Sequence, residues 1–187
     1  MDLKQIIEKT LANKNNEPRN YIGASSIGNP CERAIWYGIN NPESKEVYPK
    51  QKLTFEIGKR LETMILDLLK ESKLDILTDV YVGSEYPLFE GHLDAYILEN
   101  GQPKYILEIK TANDSSFNTF KNKGVKLWYP EYYDQVQSYM GMINIRKCIL
   151  IAINKNTSEL HQEIIPFDEY RYDYLLNKAK RIGETVN

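Results

Sequence analysis

The sequence GHLDAYILENGQPKYILEIKT, residues 91–111, contains the pattern that decides the fold. Polar and apolar side chains alternate through residues 88–98 and again through residues 104–111, as expected of β-strands with one buried face. Between them, Glu99-Asn100-Gly101-Gln102 supplies an Asn-Gly pair, which favours a tight hairpin turn. The sequence therefore predicts an antiparallel hairpin near the middle of the chain.

The predicted hairpin carries three charged side chains that could lie close together. Asp94 shares a strand face with His92, while Glu108 and Lys110 share a face of the partner strand. If the register sets these faces side by side, two carboxylates and one amine converge. The alternative is a cross-strand salt bridge on a solvated sheet face, which is the commoner outcome for such an isolated pattern.

The rest of the chain alternates predicted helices and strands. A helix is predicted over residues 55–71, because its apolar residues recur on one face, at Leu61, Ile65, Leu68 and Leu69. The other predicted helices span residues 3–11, 31–37, 131–143 and 168–183, with a helical turn at 115–123, and the other predicted strands span residues 80–86, 147–154 and 159–166. Loops are predicted at residues 13–20 and up to Pro49. This order predicts an α/β fold with a central mixed β-sheet flanked by helices.

Length and composition fit one soluble domain, residues 1–187. The chain is 42% hydrophobic and 27% charged, which allows a substantial core. Charges are scattered through its first residues, and no apolar run approaches the roughly 20 residues that cross a membrane, so we expect a cytoplasmic protein. The net charge of -2 neither supports nor excludes nucleic-acid binding, because a carboxylate cluster would offset a local basic groove.

The carboxylates of the predicted hairpin suit a hard divalent cation. Oxygen-rich sites bind Mg²⁺ or Mn²⁺, which bridge phosphate oxygens and hold water during phosphodiester cleavage. Lys110 is then suited to orient the attacking water or to contact the phosphate. The hairpin pattern is therefore compatible with nuclease chemistry, although the cross-strand salt bridge is the commoner outcome for this pattern alone.

Several motifs together resemble the PD-(D/E)XK nuclease superfamily, in its RecB-type and lambda exonuclease-like branch of phages and bacteria. GHLDAYIL (residues 91–98) followed by YILEIKTAND (residues 105–114) resembles the core motif. Gln135 and Tyr139 resemble the QxxxY motif on one helical face. Glu62 matches a further metal-binding glutamate, and Ser25, Ser26 and Arg33 match an N-terminal motif that contacts DNA phosphate.

Each of these further matches has an ordinary structural alternative. Gln135 and Tyr139 are also compatible with a partly buried helix face. Glu62 is also compatible with a boundary position paired with Lys59 or Arg60. Arg33 suits bidentate phosphate binding, but it suits a surface salt bridge equally well.

The resemblance implies a restriction-endonuclease-like core and an Mg²⁺- or Mn²⁺-dependent deoxyribonuclease, acting as an exonuclease in DNA recombination or repair. It implies as metal ligands Glu62, Asp94, Glu108 and the backbone carbonyl of Ile109. Lys110 would assist water attack, and Gln135 and Tyr139 would support the site. Relatives of this branch also imply homo-oligomerisation and a protein partner, either a single-strand annealing protein or a helicase.

Two features limit the resemblance. Iron–sulfur members use one cysteine near Cys31 and three clustered later, whereas this chain has only Cys31 and Cys148, so we expect no iron–sulfur cluster. No GxxxxGK[ST] loop is present, so ATP-driven translocation would belong to a partner. Two other functions stay open. One is a noncatalytic DNA-binding or protein-interaction module with lapsed chemistry, and the other is a structure- or site-specific endonuclease.

Overall fold

The computed structural model describes residues 1–13, 19–41, 48–86 and 88–185. Within these ranges the elements are, in chain order, α1 (Leu3–Ala12), β1 (Ile22–Gly23), α2 (Glu32–Asn40), α3 (Pro49–Glu71), β2 (Ile76–Gly83), β3 (Phe89–Glu99), β4 (Gln102–Ala112), α4 (Asp114–Lys123), α5 (Val125–Trp128), α6 (Pro130–Ile143), β5 (Lys147–Asn154), β6 (Leu160–Pro166) and α7 (Glu169–Glu184). The α/β fold with a central mixed sheet and flanking helices is confirmed.

The predicted hairpin forms the centre of this sheet. The strands follow the order β1-β3-β4-β5-β6, and β2 pairs with β3 outside this path. β1 on β3 and β4 on β5 are parallel, and the other neighbouring strands are antiparallel. Between β3 and β4, Asn100 and Gly101 have left-handed φ angles of 54° and 72°. Because a two-residue type I′ turn requires positive φ at both positions, the Asn-Gly sequence explains the turn.

β1 and β4 share one edge of β3. β2 pairs with β3 from Glu90 to Ile97. β1 pairs with β3 at Phe89 and Glu90, and β4 pairs with it from Ala95 onward. Since a strand has two edges and β2 occupies one, β1 and β4 must lie on the other. Residues 91–94 of β3 therefore border a gap between these two neighbours.

Helices cover both faces of the sheet. On one face, α3 contributes to a cluster that contains Ile65, Leu66, Ala95, Leu107, Ile109 and Ile153. On the opposite face, α6 and α7 contribute to a larger cluster whose members include Tyr96, Ile106, Val136, Tyr139, Met140, Leu150, Leu175 and Ala179. Because side chains alternate along β4, Glu108 and Lys110 point to the side of Ile106, where α6 lies.

Two elements differ most in their boundaries from the sequence prediction, while α2 runs three residues further, to Asn40, and β4 begins two residues earlier, at Gln102. β2 spans Ile76–Gly83 instead of residues 80–86, and its pairing continues past Asp79, which has a left-handed φ of 58°. Burial alternates regularly along β2, but the exposed Leu77 is apolar, so the alternation is not visible in the sequence at the start of the strand. α3 begins at Pro49 instead of residue 55, because proline fits the first helical turn, where its missing N–H is not needed.

Short elements account for the other differences. The predicted turn at residues 115–123 is the 10-residue helix α4, which is capped by Asn113, whose side chain accepts the Ser116 N–H at 2.9 Å. β1 has 2 residues and α5 has 4, which is too short for a periodic pattern. Most of the loop expected before Pro49, and residues 14–18 of the loop expected at 13–20, lie outside the described residues. Of the helices that are described, none is long and apolar enough to cross a bilayer.

Candidate active site

The carboxylate of Asp94 lies at the gap in the β3 edge. Continuing the β3–β4 register one residue beyond the Ala95–Leu107 pair sets Asp94 opposite Glu108. Asp94 Oδ2 accepts the backbone N–H of Ile109 at 2.7 Å. The two carboxylates of the hairpin are therefore neighbours at the end of the β3–β4 ladder, so the register meets the condition that the alternation pattern left open.

Glu108 is buried and only partly satisfied. The residue is 1% exposed, and its Oε1 accepts a hydrogen bond from Lys110 Nζ at 2.5 Å. Its Oε2 is buried and has no hydrogen-bond partner among the described residues. A buried polar atom without a partner costs about 1–3 kcal/mol, and more when it is charged. The Oε2 atom therefore needs a cation or a donor that these residues do not supply.

Burial and negative charge disfavour ionisation of the acids around Glu108. Burial raises the pKa of Asp94 well above its ordinary value, and the Glu108 charge raises it further. Burial and then the Glu108 charge also raise the pKa of Glu62, which reaches the group from α3. Burial lowers the pKa of Lys110, but the charges of Glu108 and Asp94 outweigh it and the net shift is upward. Three carboxylates around one ammonium leave a surplus of negative charge.

A chain of hydrogen bonds from α6 fixes Lys110. Its Nζ donates to Gln135 Oε1 at 3.1 Å, and Gln135 Nε2 donates to Tyr139 Oη at 3.0 Å. The Tyr139 hydroxyl donates its proton to the His92 carbonyl at 2.6 Å. Because this proton is committed to His92, the hydroxyl accepts from the amide, and the amide oxygen faces Lys110. The structure thus brings both residues of the predicted QxxxY motif to the lysine.

Gly91 lets Tyr139 approach β3. A Cβ atom at residue 91 would lie 2.6 Å from Tyr139 Cε1 and 3.1 Å from Ala24 Cβ. Tyr139 is 1% exposed, so its ring has no room to move away. The glycine of the GHLD sequence therefore makes space for the phenol that ends the hydrogen-bond chain.

A cleft of about 640 Å³ opens at these residues. Its lining includes the predicted site residues Glu62, Ile109 and Lys110, together with the exposed His92. It also includes basic side chains that the sequence did not identify as site residues, namely Arg19, Lys59 and Lys155. Arg19 precedes β1, Lys59 belongs to α3 and Lys155 follows β5, so only the folded chain brings them together. A basic rim around an acidic centre can hold a phosphate chain and a cation at once.

Ser25 and Ser26 follow β1, beside the gap in the β3 edge. Ser25 lines a cavity of about 160 Å³ that Gln135 and Tyr139 also line. Its Oγ lies 3.4 Å from Arg19 Nη1, which donates to it. Ser26 Oγ donates to the Gly23 carbonyl at 2.9 Å and so closes the turn. Of these two serines, Ser25 has its side chain in the wall of a cavity next to the hydrogen-bond chain.

Arg33 lies in a different cavity. Residues of α2 and α7 line that cavity, among them Trp36 and Arg181. Arg33 Nη2 donates to Tyr37 Oη at 3.2 Å, and the guanidinium lies 5.4 Å from the centre of the Tyr37 ring. The structure therefore does not bring Arg33 together with Ser25 or with the carboxylates.

Asp94 and Glu108 are not among the residues that line the cleft, but they hydrogen-bond to two residues that are, Ile109 and Lys110. Together with Glu62 they form an oxygen-rich donor set of the kind that hard divalent cations prefer. In residues 1–13, 19–41, 48–86 and 88–185, no three His, Cys, Asp or Glu side chains already converge as metal ligands. One oxygen of Asp94 accepts the Ile109 N–H, and one oxygen of Glu108 accepts a hydrogen bond from Lys110. Each carboxylate has a second oxygen, and the buried Glu108 Oε2 is the clearest acceptor for a cation.

Known proteins match this chain in structure but not in sequence. No protein-family model matches the chain, and no curated protein matches it. An alkaline exonuclease from Laribacter hongkongensis (LHK-Exo) superposes with a TM-score of 0.67 at 15% identity, covering 90% of this chain and 89% of that chain. LHK-Exo in complex with dAMP superposes with a TM-score of 0.65 at 14% identity, covering 97% of this chain and 92% of that chain.

A phage-related exonuclease from Haemophilus somnus 129PT has the same fold. It superposes with a TM-score of 0.53 at 15% identity, covering 90% of this chain and 94% of that chain. At such identities the similarity shows the fold alone, because one fold can carry different functions. The fold of this chain is therefore that of solved exonucleases.

Proposed function

We propose that this protein is a divalent-metal-dependent deoxyribonuclease, with Asp94, Glu108 and Lys110 at the centre of its active site. The observation that carries the proposal is the buried Glu108 Oε2, which has no hydrogen-bond partner within the described part of the chain. An ion pair that served stability alone would be expected to satisfy both oxygens. The fold that the chain shares with solved exonucleases supports the same function.

Glu62, Asp94, Glu108 and the backbone carbonyl of Ile109 would hold the metal ion, Mg²⁺ or Mn²⁺. When bound, the ion supplies Lewis-acid chemistry, because it polarises a phosphodiester and lowers the pKa of bound water. Its charge would also offset the repulsion that raises the pKa of Asp94. The chain therefore contributes the ligands, and the acidic surplus becomes a source of affinity.

Lys110 contributes a charged amine at a fixed position. Its hydrogen bonds to Glu108 and Gln135 hold Nζ at the cleft, and Tyr139 fixes the amide of Gln135 in turn. From there the ammonium can orient a water molecule and stabilise negative charge that develops on the phosphate. Gln135 and Tyr139 are therefore supporting residues, which act through the lysine.

The substrate of the proposed reaction is DNA. The basic rim of Arg19, Lys59 and Lys155 suits the phosphodiester chain. We assign Ser25, which lines the adjoining cavity, to the same DNA path, and Ser26 to the turn that holds Ser25 there. Arg33 would contact DNA only beyond the cleft, since it lines a different cavity. The dAMP complex of the structural neighbour LHK-Exo supports a nucleotide ligand.

We also propose that the protein acts as an exonuclease in phage or bacterial DNA recombination or repair. This step rests on the sequence resemblance and on the exonucleases among the structural neighbours. A single-strand annealing protein or a helicase is the expected partner.

Cleavage assays test the proposal directly. Purified protein is incubated with linear duplex, covalently closed circular duplex and single-stranded DNA, in Mg²⁺, Mn²⁺ or EDTA. Lys110→Ala is the test variant and Lys104→Ala is its matched control. Lys104 lies on the same strand and also pairs with a glutamate, Glu99, at 2.7 Å, but that pair is exposed on the hairpin.

Each outcome has a defined meaning. Metal-dependent loss of linear DNA that Lys110→Ala abolishes and Lys104→Ala retains is the expected result for an exonuclease. Nicking of closed circles would indicate a structure- or site-specific endonuclease instead. If no DNA is cleaved, and calorimetry detects no Mn²⁺ binding that Asp94→Asn removes, the fold serves a noncatalytic module and the proposal is wrong.

A further inference from the structure

The ring of Tyr132 lies against the ammonium group of Lys110. Lys110 Nζ is 4.6 Å from the centre of this ring, within the range of a cation–π contact. Tyr132 stands one helical turn before Gln135 on α6, so both side chains reach the lysine from the same helix. Gln135 accepts a hydrogen bond from Nζ, whereas Tyr132 offers the face of its ring. Two different contacts from α6 thus fix one amine.

Neighbouring aromatic residues brace the Tyr132 ring. Tyr129 stacks on it with ring centres 4.3 Å apart and planes inclined by 25°. Trp128 contacts it edge-on at 5.4 Å, and the Trp128 indole is itself anchored, because its Nε1 donates to Ser116 Oγ at 2.6 Å. The ring therefore has a defined orientation before any substrate binds.

Both faces of the Tyr132 ring are in use. A stacked ring at 4.3 Å covers one face, so the Lys110 ammonium must lie on the other. A nucleobase would have to displace Tyr129 or Lys110 in order to stack on Tyr132. The geometry thus favours a contact with the lysine over a contact with the substrate.

We propose that Tyr132 is a positioning residue of the active site, whose ring face holds the Lys110 ammonium toward the reacting phosphate. The inference rests on the proposed nuclease function. Lys110 has a flexible four-carbon stem, and the hydrogen bonds to Glu108 and Gln135 fix its Nζ from two directions only. The ring closes a third direction. The ring is required, and the tyrosine hydroxyl is not.

Three variants separate this role from simple packing. Tyr132→Leu removes the ring and Tyr132→Phe retains it. Tyr133→Leu is the matched control, because Tyr133 is the next residue of α6 and its ring also carries a lysine, Lys126, at 5.0 Å. Tyr133 points elsewhere, since its hydroxyl donates to Asp168 at 3.2 Å.

We expect Tyr132→Leu to lower kcat by roughly 10- to 100-fold, the range expected when a catalytic group is misplaced. Its KM for DNA and its affinity for Mn²⁺ should stay near those of the wild type, since Tyr129 and Lys110 already occupy the two faces of the ring. Tyr132→Phe should restore kcat, and Tyr133→Leu should keep it. Wild-type kcat in Tyr132→Leu, or an equal loss in Tyr132→Phe, would overturn the proposal.

A second readout does not need activity. The ring current of Tyr132 should shift the Lys110 Hε protons upfield in the NMR spectrum, and Lys110→Ala identifies their signal by its loss. The shift should persist in Tyr132→Phe and disappear in Tyr132→Leu, or in Tyr132→Met if the leucine variant does not fold. An inactive wild type that shows this shift would contradict the nuclease function alone. Absence of the shift from the wild type would contradict the ring contact itself.

Discussion

Asp134 and Glu108 are two buried carboxylates of equal exposure, 1% each, and each lies beside a cation. The Asp134 carboxylate is fully paired, because Arg171 Nε donates to Oδ1 at 2.6 Å and Arg171 Nη2 donates to Oδ2 at 2.7 Å. Glu108 receives one hydrogen bond from Lys110 at Oε1, while Oε2 has no partner among the residues described. One ion pair is complete and the other is not.

The choice of cation explains this difference. The planar fork of arginine matches both oxygens of a carboxylate, whereas lysine is a compact point charge that satisfies one. Glu108 also has a second acid beside it, Asp94, whose pKa is raised by burial and then by the Glu108 charge. The pair between Asp134 and Arg171 ties α6 to α7, and the pair between Glu108 and Lys110 leaves capacity for a ligand.

The largest expected effect is on cleavage. Glu108→Gln removes the charge of a proposed metal ligand, so we expect DNA cleavage to fall by at least about 10³-fold, equivalent to ~4 kcal/mol. Asp134→Asn should retain wild-type cleavage per folded molecule, because Asp134 faces α7 and not the cleft. Rates measured with Mn²⁺ under single-turnover conditions test this contrast. Equal losses in the two variants would remove the distinction between the pairs.

Metal binding should raise the free energy of unfolding through the Glu108–Lys110 pair and not through the Asp134–Arg171 pair. Mn²⁺ at 100 times its Kd should raise the free energy of unfolding by about 2.7 kcal/mol, because the ion binds the folded state. Asp134→Asn should show the same increase and Glu108→Gln should show none. Urea unfolding followed by circular dichroism, with EDTA as the reversal, measures the increments. A full increase in Glu108→Gln would place the metal elsewhere.

Without metal, the substitution at Asp134 should lower the free energy of unfolding more than the substitution at Glu108. Asp134→Asn breaks the bidentate pair and should lower the free energy of unfolding by about 2 kcal/mol, less than for a fully enclosed pair because Arg171 is partly exposed. Glu108→Gln should stay within about 1 kcal/mol of the wild type or exceed it, since it removes like charge beside Asp94. Unfolding in EDTA gives both values, and a larger loss in Glu108→Gln would contradict the comparison.

The smallest effect is expected at the end of the hydrogen-bond chain. Tyr139→Phe removes the hydroxyl that donates to the His92 carbonyl and accepts from Gln135. We expect a loss of about 1 kcal/mol in stability and a roughly tenfold loss in cleavage, because Lys110 keeps its other contacts. Thermal unfolding and cleavage rates measure the two losses. Unchanged cleavage would show that the amide of Gln135 is fixed without the phenol.

Local sequence patterns predicted much of the fold and part of the candidate site. Strand alternation and the Asn-Gly turn predicted the hairpin and the shared face of Glu108 and Lys110. The four-residue spacing on α6 predicted that Gln135 and Tyr139 would face the same way. These features depend on neighbours in the chain, and the sequence records such neighbours directly.

Features that depend on distant contacts were not predictable in the same way. β1 is too short to show alternation, and Arg19 and Lys155 reach the cleft only because the sheet is complete. The motif that groups Ser25 with Arg33 in sequence does not group them in space, since the exposed Arg33 lines another cavity, between α2 and α7. The sequence groups Tyr132 with other aromatic residues that could stack on bases or pack in the core, but it does not link Tyr132 to Lys110, because that contact appears only when α6 packs on β4.

The shared edge of β3 has a consequence for the order of folding. Asp94 and Glu108 meet within a hairpin, and closing so short a loop costs little entropy. β1 pairs with the same edge only after the chain from Ile22 to Phe89 has been brought together, which is a slower, non-local event. We therefore expect a folding chain to bring its two acids together early and to add the turn that carries Ser25 late. The proposed cation site would then form before the proposed nucleic-acid site.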